Sequence, residues 1–220
     1  MSFLMPANTS SSRASFRGAR TRRSLIDAGL QLFAKRPVDA VPIDDIVAVA
    51  GVAKGSFFNH FEDKKKFASA IATEIRLDIE ARVVEANRDL TDPLERLAGG
   101  MRTAATYALT EQDRAIIMVN GFRLATGRDH PLNAGLKRDM DAASAAGLLR
   151  PEAQEAGLLF WLGACHSVMA NIIERGLSRP KAAARVHDLM VMALTGLGVD
   201  QVQSRKLAKQ SMEQMLKSSR

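Results

Sequence analysis

The fold of this chain follows from one segment, IDDIVAVAGVAKGSFFNHFEDKKKF, at residues 43–67. Apolar residues recur there at three- and four-residue intervals, which predicts short helices over 43–50 and about 54–60. Gly51 interrupts the pattern, and two helices joined by so brief a turn form a helix-turn-helix unit. We expect its inward-facing residues to be Ile46, Val49 or Ala50, Val52, Phe57 and Phe61.

The same segment carries the chemical groups that duplex DNA requires. Gly55 and Ser56 lie near the start of the third helix, where backbone N–H groups and the helix dipole favour phosphate. Lys54, Ser56, Asn59 and His60 offer side chains that can reach base edges or the backbone. Lys64 and the two lysines after it supply sequence-independent phosphate contacts. Spacing alone leaves an alternative open, an ordinary turn followed by a solvated run of charges.

Residues 1–16 are rich in Ser, Asn and Arg without a helical period, and we expect a flexible basic arm there. The absence of acidic residues also gives the segment a superficial likeness to an organelle transit peptide. We favour the arm, because its basic residues run directly into the segment with DNA-binding character. Arginines in and after the arm could follow the DNA backbone or reach a minor groove: Arg13, Arg17, Arg20, Arg22 and Arg23.

Beyond residue 62 the chain alternates helical runs with proline and glycine breaks, and no strand-like alternation of useful length occurs. After a first helix over about 17–35, further helices are predicted near 63–88, 93–109, 111–126, 131–147, 151–175 and 180–198. The apolar stretch 156–173 approaches the length of a membrane span. It contains polar residues and is bounded by acids, so we expect a buried helix and no membrane partner.

The bulk composition fits a DNA-binding protein without requiring one. A hydrophobic fraction of 46% suffices for a packed core, and the formal net charge of +7 favours a polyanionic partner. The single cysteine, Cys165, excludes an internal disulfide. The four histidines are scattered without metal-ligand spacing, and no phosphate-binding loop or nucleophile motif occurs. We therefore predict no metal, no cofactor and no enzymatic activity.

The spacing of the N-terminal motifs resembles the TetR family of bacterial regulators. That family runs roughly A-x-x-L-F, then I-A-x-x-A-G-V-S-x-G-T-L-Y-x-H-F, then a lysine. This chain has AGLQLFA at 28–34, IVAVAGVAKGSFFNHF at 46–61 and Lys64. Phe58 replaces the usual tyrosine and Pro42 a frequent threonine, so two hydroxyl groups that contact phosphate in the family are absent. The predicted DNA-binding residues are Arg22, Arg23, Ile43, Lys54, Gly55, Ser56, Phe58, Asn59, His60 and Lys64.

The resemblance implies a third helix that enters the major groove, and a variable helical C-terminal domain that dimerises and binds an effector. The helices over 151–175 and 180–198 would pair with their symmetry mates, which places two recognition helices on successive half-sites. Internal packing within one subunit is the alternative. The predicted homodimer interface comprises Gly163, Ser167, Ala170, Asn171, Leu189, Ala193 and Leu197.

An effector pocket is predicted at methionine and aromatic positions, because Met-rich surfaces adapt to varied apolar ligands. Such residues at helical spacing also form plain core. The predicted lining is Met101, Tyr107, Met118, Phe122, Trp161 and Met169, and we expect a largely apolar small molecule.

We therefore predict an all-α chain in four parts. These are a flexible basic arm over 1–16, a three-helix DNA-binding domain over 17–66, a helical effector-binding and dimerisation domain over 67–200, and a basic C-terminal tail over 201–220. The alternative for the tail is a last helix that frays. The predicted function is that of a cytoplasmic transcriptional regulator, by resemblance a repressor, that a small molecule releases from a double-stranded DNA operator. The alternative is a helical-bundle carrier or enzyme with an incidental helix-turn-helix.

Overall fold

The computed structural model of this chain describes residues 9–121 and 127–217, and the side chains of 16–120 and 127–217. Over these residues the chain is helical without a strand, which confirms the predicted all-α class. It forms two compact units, Met1–Ala72 and Thr73–Arg220. Parts of the predicted arm (1–8) and tail (218–220), and Phe122, lie outside the described residues.

The first unit holds α1 (Thr9–Phe33), a 3₁₀ turn (Val38–Ala40), α2 (Ile43–Ala50), α3 (Lys54–Phe58) and the start of α4 (Lys64–Ala86). A cluster of aromatic rings forms its centre, with centroids of Phe61 and Phe67 4.8 Å apart and those of Phe57 and Phe67 5.2 Å apart. Such edge-to-face pairs add to the burial of the rings themselves. The cluster fixes α3 by its one buried residue, Phe57.

The turn between α2 and α3 depends on Gly51. Its φ of 65° and ψ of 35° are left-handed, a conformation that side chains of L-residues rarely adopt. The buried face of α2 includes Val47, which was not predicted; of the two predicted alternatives, Val49 is exposed and Ala50 is half-buried. The face that packs on the unit is centred between Ile46 and Val47, which turns Val49 towards solvent.

Helix α1 starts earlier than predicted. It begins at Thr9, so residues 9–16 are helical and not the irregular arm expected from their lack of a period. An apolar period marks a helix only where one face packs on a core, and Phe16 is 77% exposed. No proline interrupts the chain between Thr9 and Leu25, where the buried part of the helix begins.

The second unit contains the rest of α4, then α5 (Pro93–Thr110), α6 (Gln112–Gly121), a 3₁₀ turn (Pro131–Asn133), α7 (Ala134–Ala145), α8 (Ala153–Glu174), α9 (Arg179–Gly196) and α10 (Gln201–Lys217). Helix α8 packs against α5, α6, α7 and α9 and so lies at the centre of the bundle. Asp92 accepts hydrogen bonds from the backbone N–H groups of Leu94 (2.7 Å) and Glu95 (3.2 Å), which fixes the start of α5.

Helix α8 is the one helix in the described part of the chain that is long and apolar enough to cross a membrane, judged by length and composition alone. One face of α8 is buried inside the unit, through residues that include Leu158, Trp161, Leu162 and Val168. A core helix passes the same test of length and composition, and this packing supports the buried-helix interpretation.

The last segment, expected as a basic tail or a last helix that frays, is a packed helix over Gln201–Lys217. Helix α10 packs along α9. Its buried side is formed mostly by small or weakly apolar residues at helical spacing: Ser204, Leu207, Ala208, Ser211 and Met215. The basic residues lie on the opposite face and give the segment its polar composition.

Candidate functional site

The exposed surface of α3 forms one arc. Lys54, Gly55, Phe58 and Asn59 are exposed, while Phe57 points into the aromatic cluster. A Cβ added to Gly55 would meet no atom within 4 Å, so this part of the arc is open to close approach. Three further predicted residues, Ile43, Ser56 and His60, are half-buried at its margins.

An exposed ion pair joins this arc to α2. The ammonium of Lys54 lies 2.8 Å from a carboxylate oxygen of Asp44, and both side chains are more than half exposed, at 57% and 69%. Pairs of this kind contribute at most about 1 kcal/mol in water. Lys54 can therefore exchange Asp44 for a phosphate or a base at little cost.

Lys64 has a structural role that the sequence did not indicate. Its ammonium donates hydrogen bonds to the backbone carbonyls of Asp39 (2.9 Å) and Val41 (3.0 Å). These bonds hold the turn before α2 against the start of α4. An ammonium has three N–H donors, so one remains for the phosphate contact predicted at this residue.

The two arginines predicted at the interface are both engaged within the unit. The guanidinium of Arg22 lies over the ring of Phe61, 5.4 Å from its centroid. Arg23 forms an ion pair with Asp27, one helical turn further along α1, at 3.1 Å. Both side chains are exposed, so neither arrangement removes the charge from the surface.

The second unit contains a cavity of about 80 Å³ walled by residues of α4, α5, α7 and α8. Most of its wall is apolar and includes Ile79, Val83, Leu97, Leu136, Trp161 and Leu162. Charged side chains also line it, namely Arg138 and the members of two ion pairs. Arg76 and Glu80 are 2.7 Å apart, and Arg96 and Asp139 are 2.7 Å apart.

The pair of Arg96 and Asp139 belongs to a larger hydrogen-bond network. Arg96 also donates to the backbone carbonyls of Asn87 (3.1 Å) and Leu90 (3.2 Å), which follow α4. The pair therefore ties α5 both to α7 and to the end of α4. Because Arg96 is 21% and Asp139 only 11% exposed, each charge depends on its partner.

Burial raises the pKa of Glu80 above its ordinary value; Arg76 opposes the change and Asp139 adds to it. Burial also raises the pKa of the Cys165 thiol, which lines the same cavity, to about 12. The thiol is therefore protonated at neutral pH and is a poor nucleophile.

The predicted pocket residues are mostly core. Only Trp161 of the predicted set lies on the cavity wall, while Met101, Tyr107 and Met169 are buried elsewhere in the unit. Met118 is half-buried away from the wall, and Phe122 lies outside the described residues. The four charged residues of the two ion pairs were missed, because charges at helical spacing are typical of a solvated face.

The structure divides the predicted dimer interface between surface and core. Gly163, Ala170, Asn171 and Leu189 are half-buried and Ser167 is exposed. Ala193 and Leu197 differ from the prediction, because both are buried in their own subunit. The apolar stripe of α9 that contains them packs inward, and a Cβ on Gly157 of α8 would be 3.3 Å from Leu197. The large apolar residues left exposed on α8 and α9 are Leu159, Phe160 and Met192.

Sequence comparisons show that the N-terminal segment, which contains α3, is similar to known regulatory proteins. Residues 25–71 match the family model described as bacterial regulatory proteins, tetR family. The chain is 36% identical over 77 residues to the HTH-type transcriptional repressor DhaR of Mycobacterium sp. (strain GP1), covering 34% of this chain and 39% of DhaR. It is 28% identical over 106 residues to the repressor BepR of Brucella suis biovar 1 (strain 1330), covering 48% and 51%. These alignments span about half or less of the length of either relative.

Solved structures extend the similarity to most of the chain. RolR in complex with resorcinol has a TM-score of 0.61 at 23% identity, with 88% of this chain and 95% of RolR covered. AibR in complex with isovaleryl coenzyme A and operator DNA has a TM-score of 0.52 at 21% identity, with 70% and 86% covered. At these identities the similarity concerns the fold. Residues 25–71 match the tetR family model, which confirms the resemblance of the motifs in that segment.

Proposed function

We propose that this chain is a cytoplasmic, sequence-specific transcriptional regulator, a homodimeric repressor that a small molecule releases from its DNA operator. The observation that carries the proposal is the exposed arc of α3. Lys54 and Asn59 offer hydrogen-bonding groups there beside the open surface at Gly55, and Phe57 holds the helix in place. Side chains on such a helix can reach base edges in the major groove.

Dimerisation is supported by the apolar residues that α8 and α9 leave exposed. Leu159, Phe160 and Met192 are large side chains whose burial against a second copy would be favourable. Gly163 has open space around it and allows the close approach of another helix. A two-fold dimer presents two α3 helices to a near-palindromic operator.

The cavity in the second unit supports the effector part of the proposal and changes the ligand that we expect. Its wall combines apolar side chains with the Arg76–Glu80 and Arg96–Asp139 pairs. An effector that fits such a wall has a compact apolar body and at least one hydrogen-bonding group, and is not purely apolar. RolR and AibR, which share the fold, were solved with resorcinol and with isovaleryl coenzyme A.

The experiment that tests the DNA-binding part is selection of bound fragments from random and genomic DNA at about 150 mM salt. We expect a near-palindrome. On that fragment, Lys54→Ala and Asn59→Ala should each lower the affinity by about 1–3 kcal/mol where the side chain contacts a base. Lys206→Ala, at an exposed position of α10, is the control for loss of a positive charge. Unchanged affinity and sequence preference in both α3 variants would contradict the assignment of the recognition helix.

The cavity also favours a second candidate, a carrier of small molecules. Trp161 is the single tryptophan of the chain and lines the cavity, so its fluorescence reports a ligand directly. Under the regulator proposal, a compound that changes this fluorescence also lowers the affinity for the selected DNA. A tightly bound compound together with no specific DNA binding would favour the carrier.

A further inference from the structure

We propose that the cavity of the second unit binds a small organic acid, and that Arg138 and Arg76 hold its carboxylate. This inference rests on the proposed function and deepens it, since that function requires of the effector only an apolar body and a hydrogen-bonding group. A carboxylate brings a negative charge and two acceptor oxygens. The wall of the cavity offers a positive charge and N–H donors that the protein itself leaves without partners.

The wall of the cavity carries more positive than negative charge. Its charged side chains are the arginines Arg76, Arg96 and Arg138 and the acids Glu80 and Asp139. Each acid is paired with one arginine, Glu80 with Arg76 and Asp139 with Arg96. The charge of Arg138 is therefore not compensated on the wall. Burial raises the pKa of Glu80, and protonation of that acid increases the excess of positive charge further.

Arg138 has no partner within the chain for its charge or for its N–H groups. Among the described residues it forms no ion pair, and no atom accepts a hydrogen bond from it. Every aspartate and glutamate of the sequence lies in the described residues, so no further acidic side chain is left to pair with it. The side chain is half-buried. Its guanidinium presents N–H donors in a planar fork that matches the two oxygens of a carboxylate.

A second donor on the same wall lacks an acceptor. The Nε–H group of Arg76 is buried and has no hydrogen-bond partner among the described residues. The Nη2 atom is engaged, because it donates to the backbone carbonyl of Leu132 (3.3 Å) and to the side-chain oxygen of Asn133 (3.2 Å) and lies 2.7 Å from Glu80. A buried donor without an acceptor is unfavourable. A ligand oxygen at Nε is therefore favourable in addition to the attraction of the charges.

Open space beside Gly135 lies next to these groups. A Cβ added to Gly135 would lie 3.8 Å from one carboxylate oxygen of Glu80 and 4.0 Å from Nη2 of Arg138, both ordinary contact distances. The other oxygen of Glu80 is the one that Arg76 holds. Gly135 thus leaves room at the charged part of the wall, where we place the carboxylate. The apolar body of the acid then packs on the apolar part of the wall, which includes Trp161.

The test compares carboxylic acids with their own primary amides, which keep the apolar body and lack the charge. The probes are butanoate, cyclohexanecarboxylate, benzoate and phenylacetate, each beside its amide, titrated into the full chain at neutral pH. Calorimetry measures the affinity, and the fluorescence of Trp161, which lines the cavity, reports where the probe binds. At least one acid should bind about tenfold or more tightly than its amide, because a charge-assisted hydrogen bond replaces a neutral one.

Variants of Arg138 test the residue that we assign to the carboxylate. Arg138→Gln should lower the affinity for the acid by about tenfold or more and leave the affinity for the amide unchanged. Arg138→Lys keeps the charge and should retain part of the affinity for the acid. Arg205→Gln removes a positive charge from an exposed position of α10 and should change neither affinity. Urea unfolding should show that Arg138→Gln is as stable as the unaltered chain, because Arg138 has no partner to lose.

The inference is overturned if no acid of the panel binds more tightly than its amide. It is also overturned if Arg138→Gln keeps the full preference for the acid. Both results leave the proposed function intact when the chain still binds the selected DNA specifically, and they then indicate an uncharged effector. Conversely, an acid that binds through Arg138 but leaves the affinity for that DNA unchanged supports the anion site and contradicts release of the operator by this ligand.

Discussion

Two ion pairs, one in each unit, lie in opposite environments. In the first unit, Lys54 and Asp44 are paired at 57% and 69% exposure, on the surface that we assign to DNA. In the second unit, Arg96 and Asp139 are paired at 21% and 11% exposure, at the wall of a cavity. An exposed pair separates readily when a stronger partner approaches, whereas a buried pair holds the protein together until both charges find other partners. The first arrangement suits a surface that exchanges ligands, and the second suits a scaffold.

The largest expected effect comes from removing one acid of each pair. Asp139→Ala leaves the Arg96 guanidinium without its carboxylate and should lower the free energy of unfolding by about 3–5 kcal/mol. Asp44→Ala should change it by less than about 1 kcal/mol. Urea unfolding followed by circular dichroism measures both. Similar losses in the two variants would show that exposure does not distinguish the pairs.

Substitution of a buried glycine should have an intermediate effect on the free energy of unfolding, and it tests the same difference between exposed surface and packed interior. A Cβ on Gly99 would overlap the side-chain oxygen of Asn87. Asn87 is fully buried, and its side-chain NH₂ group donates to the backbone carbonyl of Arg96 at 2.8 Å. Gly99→Ala should therefore destabilise the chain by about 1–3 kcal/mol. Gly100→Ala, with the nearest atom at 3.9 Å, is the matched control and should be neutral or slightly stabilising.

Gly55→Ala provides the counterpart in the first unit. No atom lies within 4 Å of the added methyl group, so we expect folding to be unaffected. Its effect should appear in DNA affinity, because the methyl group stands on the surface that we propose as the DNA contact. A loss of stability equal to that of Gly99→Ala would contradict the contrast between an open surface and a packed interior.

The smallest expected effect concerns Tyr107, the single tyrosine of the chain. Its hydroxyl donates to Asp78 (3.1 Å) and accepts from Arg114 (2.9 Å), so it joins α4, α5 and α6. Tyr107→Phe should cost about 1 kcal/mol, the usual net value of such bonds. Burial raises the pKa of Tyr107 from 10.0 to about 12.

The raised pKa of Tyr107 makes stability depend on pH at the alkaline end. A folded-state pKa above the unfolded value means that the stabilisation is complete below pH 10 and is lost as the pH rises through about 12. Absorbance of the phenolate should therefore titrate near 12 in the folded chain and near 10 in denaturant. A folded-state midpoint near 10 would show that the hydroxyl is open to water.

The predictability of the two units also differs. The helix-turn-helix follows from local spacing, since Gly51, Phe57 and Phe61 lie within a few residues of the surfaces that they define. The start of helix α1 at Thr9 does not follow from the sequence, because residues 9–16 show no apolar period. The packing of helix α10 does not follow from its sequence, because small residues such as Ser204 and Ser211 form its buried side.

The residues that line the cavity are harder to predict from the sequence, because its charged residues come from separate helices. Asp139 of α7 meets Arg96 of α5, although 43 residues separate them. Arg76 and Glu80 do show a local signal, a charged pair at i,i+4 next to Ile75 and Ile79, which are buried. The same spacing is common on solvated helices. Only the low exposure of the two side chains in the structure, 15% for Arg76 and 24% for Glu80, distinguishes the two cases.

Gly51 has a consequence that concerns chirality. A Cβ in the L configuration would meet no atom within 4 Å there, yet the φ of 65° is unfavourable for it. The restriction is therefore one of handedness and not of space. A D-amino acid, whose preferred backbone angles are the mirror image, would occupy the left-handed region without strain. At the turn before the recognition helix, the configuration of the residue, L or D, thus matters more than the size of its side chain.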